Sequence, residues 1–158
     1  MTTPLKTGDK VPSLKLPVTG GGEIDLSSPT DRMRVIFFYP KDSTPGCTTE
    51  AQDFSRLKDE FAKIGADIVG VSRDSLASHE KFLTKKELTI PLASDEADGA
   101  ATEAFGVWVE KAMYGKTYMG IERSTFLIAK DATILEAWRK VRVKGHVNAV
   151  LEAATNQK

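Results

Sequence analysis

Cysteine is almost absent from this chain: Cys47 is the only one among 158 residues. One thiol cannot close an internal disulfide. That removes the disulfide-stapled scaffolds of small secreted proteins and suits a reducing compartment, so the cytoplasm is the expectation. An excess of either charge is also absent, with 22 Lys and Arg against 22 Asp and Glu. The balance gives no electrostatic footprint for nucleic acid or an anionic membrane surface, and neither is expected as a partner. Long apolar runs are missing too. The longest, Val35 to Tyr39, falls far short of the roughly 20 residues a membrane-spanning helix needs. The opening "MTTPLKTGDKVPSLKLPV" has no basic stretch followed by an apolar run, so no signal peptide is expected. Histidine is scarce: His79 and His146 stand alone, and no His/Cys/Asp spacing suggests a metal site. What is present, 41% hydrophobic residues in a chain of this length, is enough to bury one core, and one domain over residues 1–158 is expected.

The chain alternates strand-like and helix-like segments. "SLKLPV" (13–18) and "GEIDL" (22–26) alternate polar and apolar around "TGGG" and predict a hairpin or two short edge strands. "MRVIFFYP" (33–40) is a β-branched and aromatic run of the kind that forms a buried central strand, ended by Pro40. Ala51, Phe54, Leu57, Phe61 and Ile64 then recur at helical spacing up to Gly65, which predicts one long amphipathic helix. "ADIVGVSR" (66–73) reads as a buried strand and 75–88 as a helix capped by Asp74 or Ser75. "IPLASD" (90–95) reads as a short strand and 98–107 as a short helix. Residues 108–122 read as a loop, "RSTFLIAKD" and "TILEAWRKV" as a strand pair, and 146–157 as a closing helix. Such alternation predicts an α/β protein whose mixed central sheet is flanked by helices on both faces. The order resembles a thioredoxin-like fold with an N-terminal β-hairpin extension.

The lone thiol sits in "YPKDSTPGCTTE" (39–50). A free cysteine is most often a small buried apolar side chain. This one follows a buried strand and a Pro- and Gly-containing turn, and falls in the first turn of a helix. Unpaired backbone N–H groups and the helix dipole stabilise a thiolate there, and the thiolate is the nucleophile. In an α/β sheet this junction also lies at the carboxyl edge of the strands, where sites occur. Thr44 can place a hydroxyl beside the sulfur. Pro45 and Gly46 give a tight turn whose backbone a small ligand can approach. Pro40 can cover the sulfur from water. Thr48 and Thr49 read as ordinary helix-start residues. Glu50 stands where a C-x-x-C motif would carry its second cysteine, so dithiol exchange through that motif is excluded.

"FFYPKDSTPGCTTEAQDF", with "FGVW" and "KAMYGKTYMGIERSTFLI" further on, resembles the peroxiredoxins, and in particular their bacterioferritin comigratory protein (peroxiredoxin Q) subfamily. The likeness runs over nearly the whole chain. It implies a thiol-dependent peroxidase acting on hydrogen peroxide and organic hydroperoxides, with Cys47 as the peroxidatic cysteine that becomes a sulfenic acid. It implies that Thr44 hydrogen-bonds thiolate and peroxide, that Pro40 shields the site, and that Arg123 is the active-site arginine. The backbone N–H groups of Gly46 and Cys47 would help hold the peroxide, and Glu50 would orient Arg123. Taken alone, Arg123 reads as a solvated cation at a strand end. No metal or organic cofactor is implied.

The sequence departs from the family where a resolving cysteine would stand. Gln52 occupies one usual position, and Leu83 and Thr84 occupy the stretch that holds the other. A one-cysteine mechanism follows, with an external thiol (glutathione, a glutaredoxin or a thioredoxin) as reductant. Two other functions stay open on sequence: a non-catalytic redox sensor or binding module that uses reversible Cys47 oxidation, and a cysteine hydrolase, which needs a histidine beside Cys47. His79 reads as a helix-surface residue and His146 as a helix-start residue. Trp108 and Trp138 read as packing residues. The aromatics and methionines of 108–122 fit either a flap over the core or a partner surface. A monomer or weak homodimer is expected.

Overall fold

A computed structural model describes residues 4–27 and 31–157, so the first three residues of the N-terminal stretch lie outside it. Its centre is a five-stranded sheet in the order β5 (Leu92–Ser94), β4 (Ala66–Ser72), β3 (Met33–Phe38), β8 (Ser124–Ile128), β9 (Ile134–Trp138). β3, β4 and β5 run parallel, while β3–β8 and β8–β9 pair antiparallel. The mixed sheet is the one the element order predicts. The N-terminal hairpin also forms, with β1 (Lys15–Pro17) antiparallel to β2 (Glu23–Asp25).

Strand β3 is central because its residues are apolar on both faces. Val35 and Phe37 face one core, and Ile36 and Phe38 face the other. On the first face lie α1 (Pro45–Arg56), α2 (Lys58–Lys63), α3 (Leu76–Lys85) and α5 (His146–Thr155), which contribute Phe54, Phe61, Phe82 and Val150. On the second lie α4 (Ala100–Ala104), Phe105 and the N-terminal segment with Leu16 and Leu26. Phe54 stacks on Phe37 at 4.5 Å between ring centroids, and this contact fixes α1 against the carboxyl half of β3. Gly70 in β4 is required by that packing, because a Cβ there would lie 2.6 Å from Phe37 Cζ.

Three expectations need correction. The long helix breaks at Leu57 (φ −98°, ψ 7°), which ends α1 and precedes α2. Phe54 and Phe61 still bury on the same core, so the apolar spacing runs through the break and conceals it. The loop at 108–122 is an antiparallel hairpin, β6 (Trp108–Met113) with β7 (Lys116–Ile121). Its turn residues Tyr114 and Gly115 both have positive φ (53° and 77°), as a two-residue hairpin of the I′ class demands. The third correction concerns His79, which is fully buried. The cap left open between Asp74 and Ser75 is Ser75, whose side chain accepts from Ser78 N–H. Trp138 packs against the first core, and the Arg73 guanidinium lies 3.5 Å over the Trp108 ring.

Candidate active site

The site forms where β3 runs into α1. Tyr39 N–H still donates to Val71 O across the sheet. The chain then turns through Ser43, whose φ of 65° lies in the left-handed region, and Thr44 takes the extended conformation of a helix cap (φ −82°, ψ 154°). Pro45 opens α1, where a missing N–H is no loss. The first helical bond runs from Thr48 N–H to Thr44 O at 2.8 Å. The N–H groups of Gly46 and Cys47 come before that bond and have no partner among the described residues. Cys47 therefore stands in the first turn above two free donors, and it is buried at 1% exposure.

Arg123, between β7 and β8, reaches this turn from 76 residues away. Its Nη2 donates to Cys47 Sγ at 3.4 Å and its Nη1 donates to Glu50 Oε1 at 2.7 Å. Gly46 eases the approach, because a Cβ there would lie 3.1 Å from Nη2 and push the guanidinium back by a few tenths of an ångström. Burial works against the charge of the guanidinium, but Glu50 and Cys47 outweigh it and hold its pKa above the ordinary value. Glu50 is fully buried, and its Oε2 has no hydrogen-bond partner among the described residues. Burial raises this carboxyl to about 7, against the pull of Arg123. One cation thus faces two acidic groups, and a Glu50 that holds a proton leaves the charge of Arg123 for the sulfur.

Thr44 sits at the cap, but its hydroxyl donates to Lys41 O at 2.8 Å. In this conformation its one proton is committed to the loop, and only its lone pairs remain for a ligand. Pro40 is half-buried and lines a cavity of about 380 Å³ shared with Lys41, Trp108, Lys111, Tyr118 and Met119. The 108–121 hairpin therefore walls the approach beside Pro40, while its tip exposes Met113 and Tyr114. Lys111 is a residue the sequence did not single out. Burial lowers its pKa, Arg123 adds to that, and Cys47 and Glu122 oppose it, so it belongs to the electrostatics of this site.

Neither histidine hydrogen-bonds the sulfur. His146, the first residue of α5, meets Thr125 Oγ1 at 2.8 Å through Nε2. Burial, then Arg123, lowers its pKa to about 4. His79 meets Asp42 Oδ2 at 2.7 Å and Ala93 O at 2.9 Å. The Cys–His pair a hydrolase needs is not formed. Among the described residues, Asp42, Asp74 and His79 are the group whose ligand atoms lie close enough to hold a metal ion, within 4.8 Å of one another. Those atoms already hydrogen-bond within the protein: Tyr39, Ser78 and His79 meet Asp42, and Ser72 and the Asp42 N–H meet Asp74.

The AhpC/TSA family profile matches residues 7–137. The chain belongs to the AhpC/TSA family. Peroxiredoxin Bcp of Xanthomonas campestris pv. campestris is 53% identical over 140 residues, which cover 89% of this chain and 87% of that relative. Peroxiredoxin Bcp of Bacillus subtilis is 47% identical over 148 residues, 94% of each chain. Among solved structures, Xanthomonas campestris Peroxiredoxin Q superposes with a TM-score of 0.85 at 52% identity over 90% of both chains. A Xylella fastidiosa PrxQ mutant superposes with a TM-score of 0.91 at 41% identity over 98% of both. This peroxiredoxin falls in the Bcp/Q subfamily and has its thioredoxin-like fold. Of the residues singled out from the sequence, Cys47, Gly46, Glu50 and Arg123 meet in one turn, Thr44 caps it, and Pro40 stands at its edge.

Proposed function

We propose that this peroxiredoxin is a thiol-dependent peroxidase for hydrogen peroxide and organic hydroperoxides, and that Cys47 works without a resolving partner in the chain. The observation that carries this reading is the Arg123 guanidinium shared between Cys47 Sγ and Glu50, set beside two unpaired N–H groups. The solved relative from Xanthomonas campestris described for its alkyl peroxide reduction activity supports the organic substrate class.

The Cys47 thiolate attacks the hydroxyl-bearing oxygen of the peroxide. An S–O bond forms, the O–O bond breaks, and the sulfur becomes a sulfenic acid. The leaving alkoxide or hydroxide takes a proton from water. Arg123 and the Gly46 and Cys47 N–H groups hold the peroxide in line and take up charge as the oxygens separate. Thr44 adds an acceptor for the peroxide proton, and Pro40 limits water. A first external thiol then condenses with the sulfenic acid, releasing water and leaving a mixed disulfide. A second thiol displaces Cys47 and restores it. Glutathione, a glutaredoxin or a thioredoxin would serve. The reaction needs no second subunit, which fits a monomer or weak homodimer. Among the described residues no helix is long and apolar enough to cross a membrane, and a reducing cytoplasm suits the free thiol.

Turnover of one peroxide with a panel of these reductants tests the assignment. Stoichiometric loss of the thiol and sustained turnover with at least one donor are expected, and Cys47→Ser abolishes both. Oxidation without appreciable turnover with any of the donors would make the chain a redox sensor instead.

A further inference from the structure

His79 reads from the sequence as a helix-surface residue, yet it is fully buried and holds two elements together. Its Nε2 faces Ala93 O at 2.9 Å. A carbonyl only accepts, so Nε2 carries a proton. Its Nδ1 faces Asp42 Oδ2 at 2.7 Å. That carboxylate also accepts from the Ser78 hydroxyl at 2.8 Å and, on Oδ1, from the Tyr39 hydroxyl at 2.6 Å. The only proton of Tyr39 is spent on Oδ1, so at its 3.3 Å separation from Nδ1 the phenol oxygen is an acceptor. Two hydroxyls donating to one carboxylate is the pattern of an ionised Asp42, and the single proton between Oδ2 and Nδ1 is then assigned to Nδ1.

Asp42 and His79 are 3% and 0% exposed at their side chains. The other titratable groups around them are Tyr39, at the end of β3, and Asp74, in the turn before α3. Burial, then Asp42, raises the Tyr39 phenol well above its ordinary value and keeps it a donor. Asp74 Oδ2 accepts from the Asp42 N–H and the Ser72 hydroxyl. Burial alone would raise the Asp42 carboxyl, but hydrogen bonds from His79 and Tyr39, the charge of His79 and the Ser78 hydroxyl lower it instead.

The place of this pair in the chain gives it a task. Asp42 stands two residues after Pro40 and two before Thr44, in the loop that delivers Cys47 to the helix start. Its side chain is held by α3, its N–H by Asp74, and the preceding Lys41 O by the Thr44 hydroxyl. We propose that Asp42 and a doubly protonated His79 form a buried ion pair that acts as a positioning device, pinning the 39–46 loop to α3 so that the helix start is set for reaction at Cys47. The proposal rests on the peroxidase reading for its kinetic consequence alone.

The full chain with ¹⁵N-labelled histidine should show both His79 ring nitrogens protonated near neutral pH. In folded His79→Gln, Cys47 oxidation by hydrogen peroxide should fall about tenfold to a hundredfold, as for a displaced reacting group, with an altered pH–rate profile. A purely structural residue would lower only the melting temperature. The double variant Asp42→Asn/His79→Gln should lose no more than His79→Gln, because the orphaned carboxylate is gone. Alkylation of Cys47 by iodoacetamide, measured in parallel, should slow in His79→Gln and slow no further in the double variant. It reads the loop position even if peroxide proves not to be the substrate. A bare Nδ1, unchanged rates and profiles for both reagents in folded His79→Gln, or additive losses in the double variant would each overturn the proposal.

Discussion

Two buried polar clusters flank the segment from Tyr39 to Cys47, and they are built on opposite terms. Around Asp42, donors and acceptors are matched: Tyr39, Ser78 and His79 surround the carboxylate, and Ala93 takes the far side of the imidazole. Around Cys47, groups outnumber partners. Arg123 serves both the sulfur and Glu50, and among the described residues one Glu50 oxygen has no partner and two backbone donors stand free. Unsatisfied buried polar groups are destabilising, and in a reactive site they are what a substrate can satisfy. The matched cluster holds the loop, and the unmatched one is left open for chemistry.

That contrast breaks most sharply at Arg123. Arg123→Ala should slow Cys47 oxidation by about 10²–10³-fold, the scale for removing one donor to developing charge. Its pH–rate profile should move to higher pH. A stopped-flow series with hydrogen peroxide checks both, and an unchanged profile would remove Arg123 from its assigned role. Folding should survive, because Glu50 can hold a proton once its cation is gone.

Glu50 tests the same cluster through stability. Its carboxyl is raised from 4.5 to about 7 in the folded protein, so the folded state binds the extra proton between those values. Stability from this group is greatest below about 4.5 and falls as pH rises through about 7. Urea midpoints of Glu50→Gln should lack that slope. Kept in the variant, the slope would have to come from another group.

His146, whose folded value near 4 lies below its ordinary 6.5, gives an effect of similar size and opposite sign. The unfolded chain takes up the proton first, so this contribution is lost as pH falls from about 6.5 through 4. Between about 4.5 and 6.5 the two slopes oppose each other. The wild-type midpoint should therefore be flatter there than in Glu50→Gln or His146→Gln, which should tilt in opposite directions.

Much of this was legible before any coordinates. The apolar run of β3, the helix start at Cys47 and the closing helix α5 each follow from local pattern, because strand and helix periods are written in adjacent residues. Leu57 was hidden because no glycine or proline marks the break and the apolar period continues across it. The β6–β7 hairpin was hidden because most of its residues face water on both sides, which erases alternation, and because its turn is Tyr-Gly rather than Asn-Gly. His79 looked exposed because Glu80 and Lys81 follow it, while the carboxylate that receives it is 37 residues away. The meeting of Arg123 with Cys47 came from family resemblance, since nothing in the residues around either position points to the other.

The antiparallel docking of β8 beside β3 also sets a schedule. Cys47 and Arg123 are 76 residues apart, and a ribosome adding roughly 5–20 residues per second needs about 4–15 s to make that interval. Until β8 arrives, Cys47 has no guanidinium beside it. On the proposed mechanism, the help Arg123 gives to reaction at Cys47 begins only once the protein has folded around it.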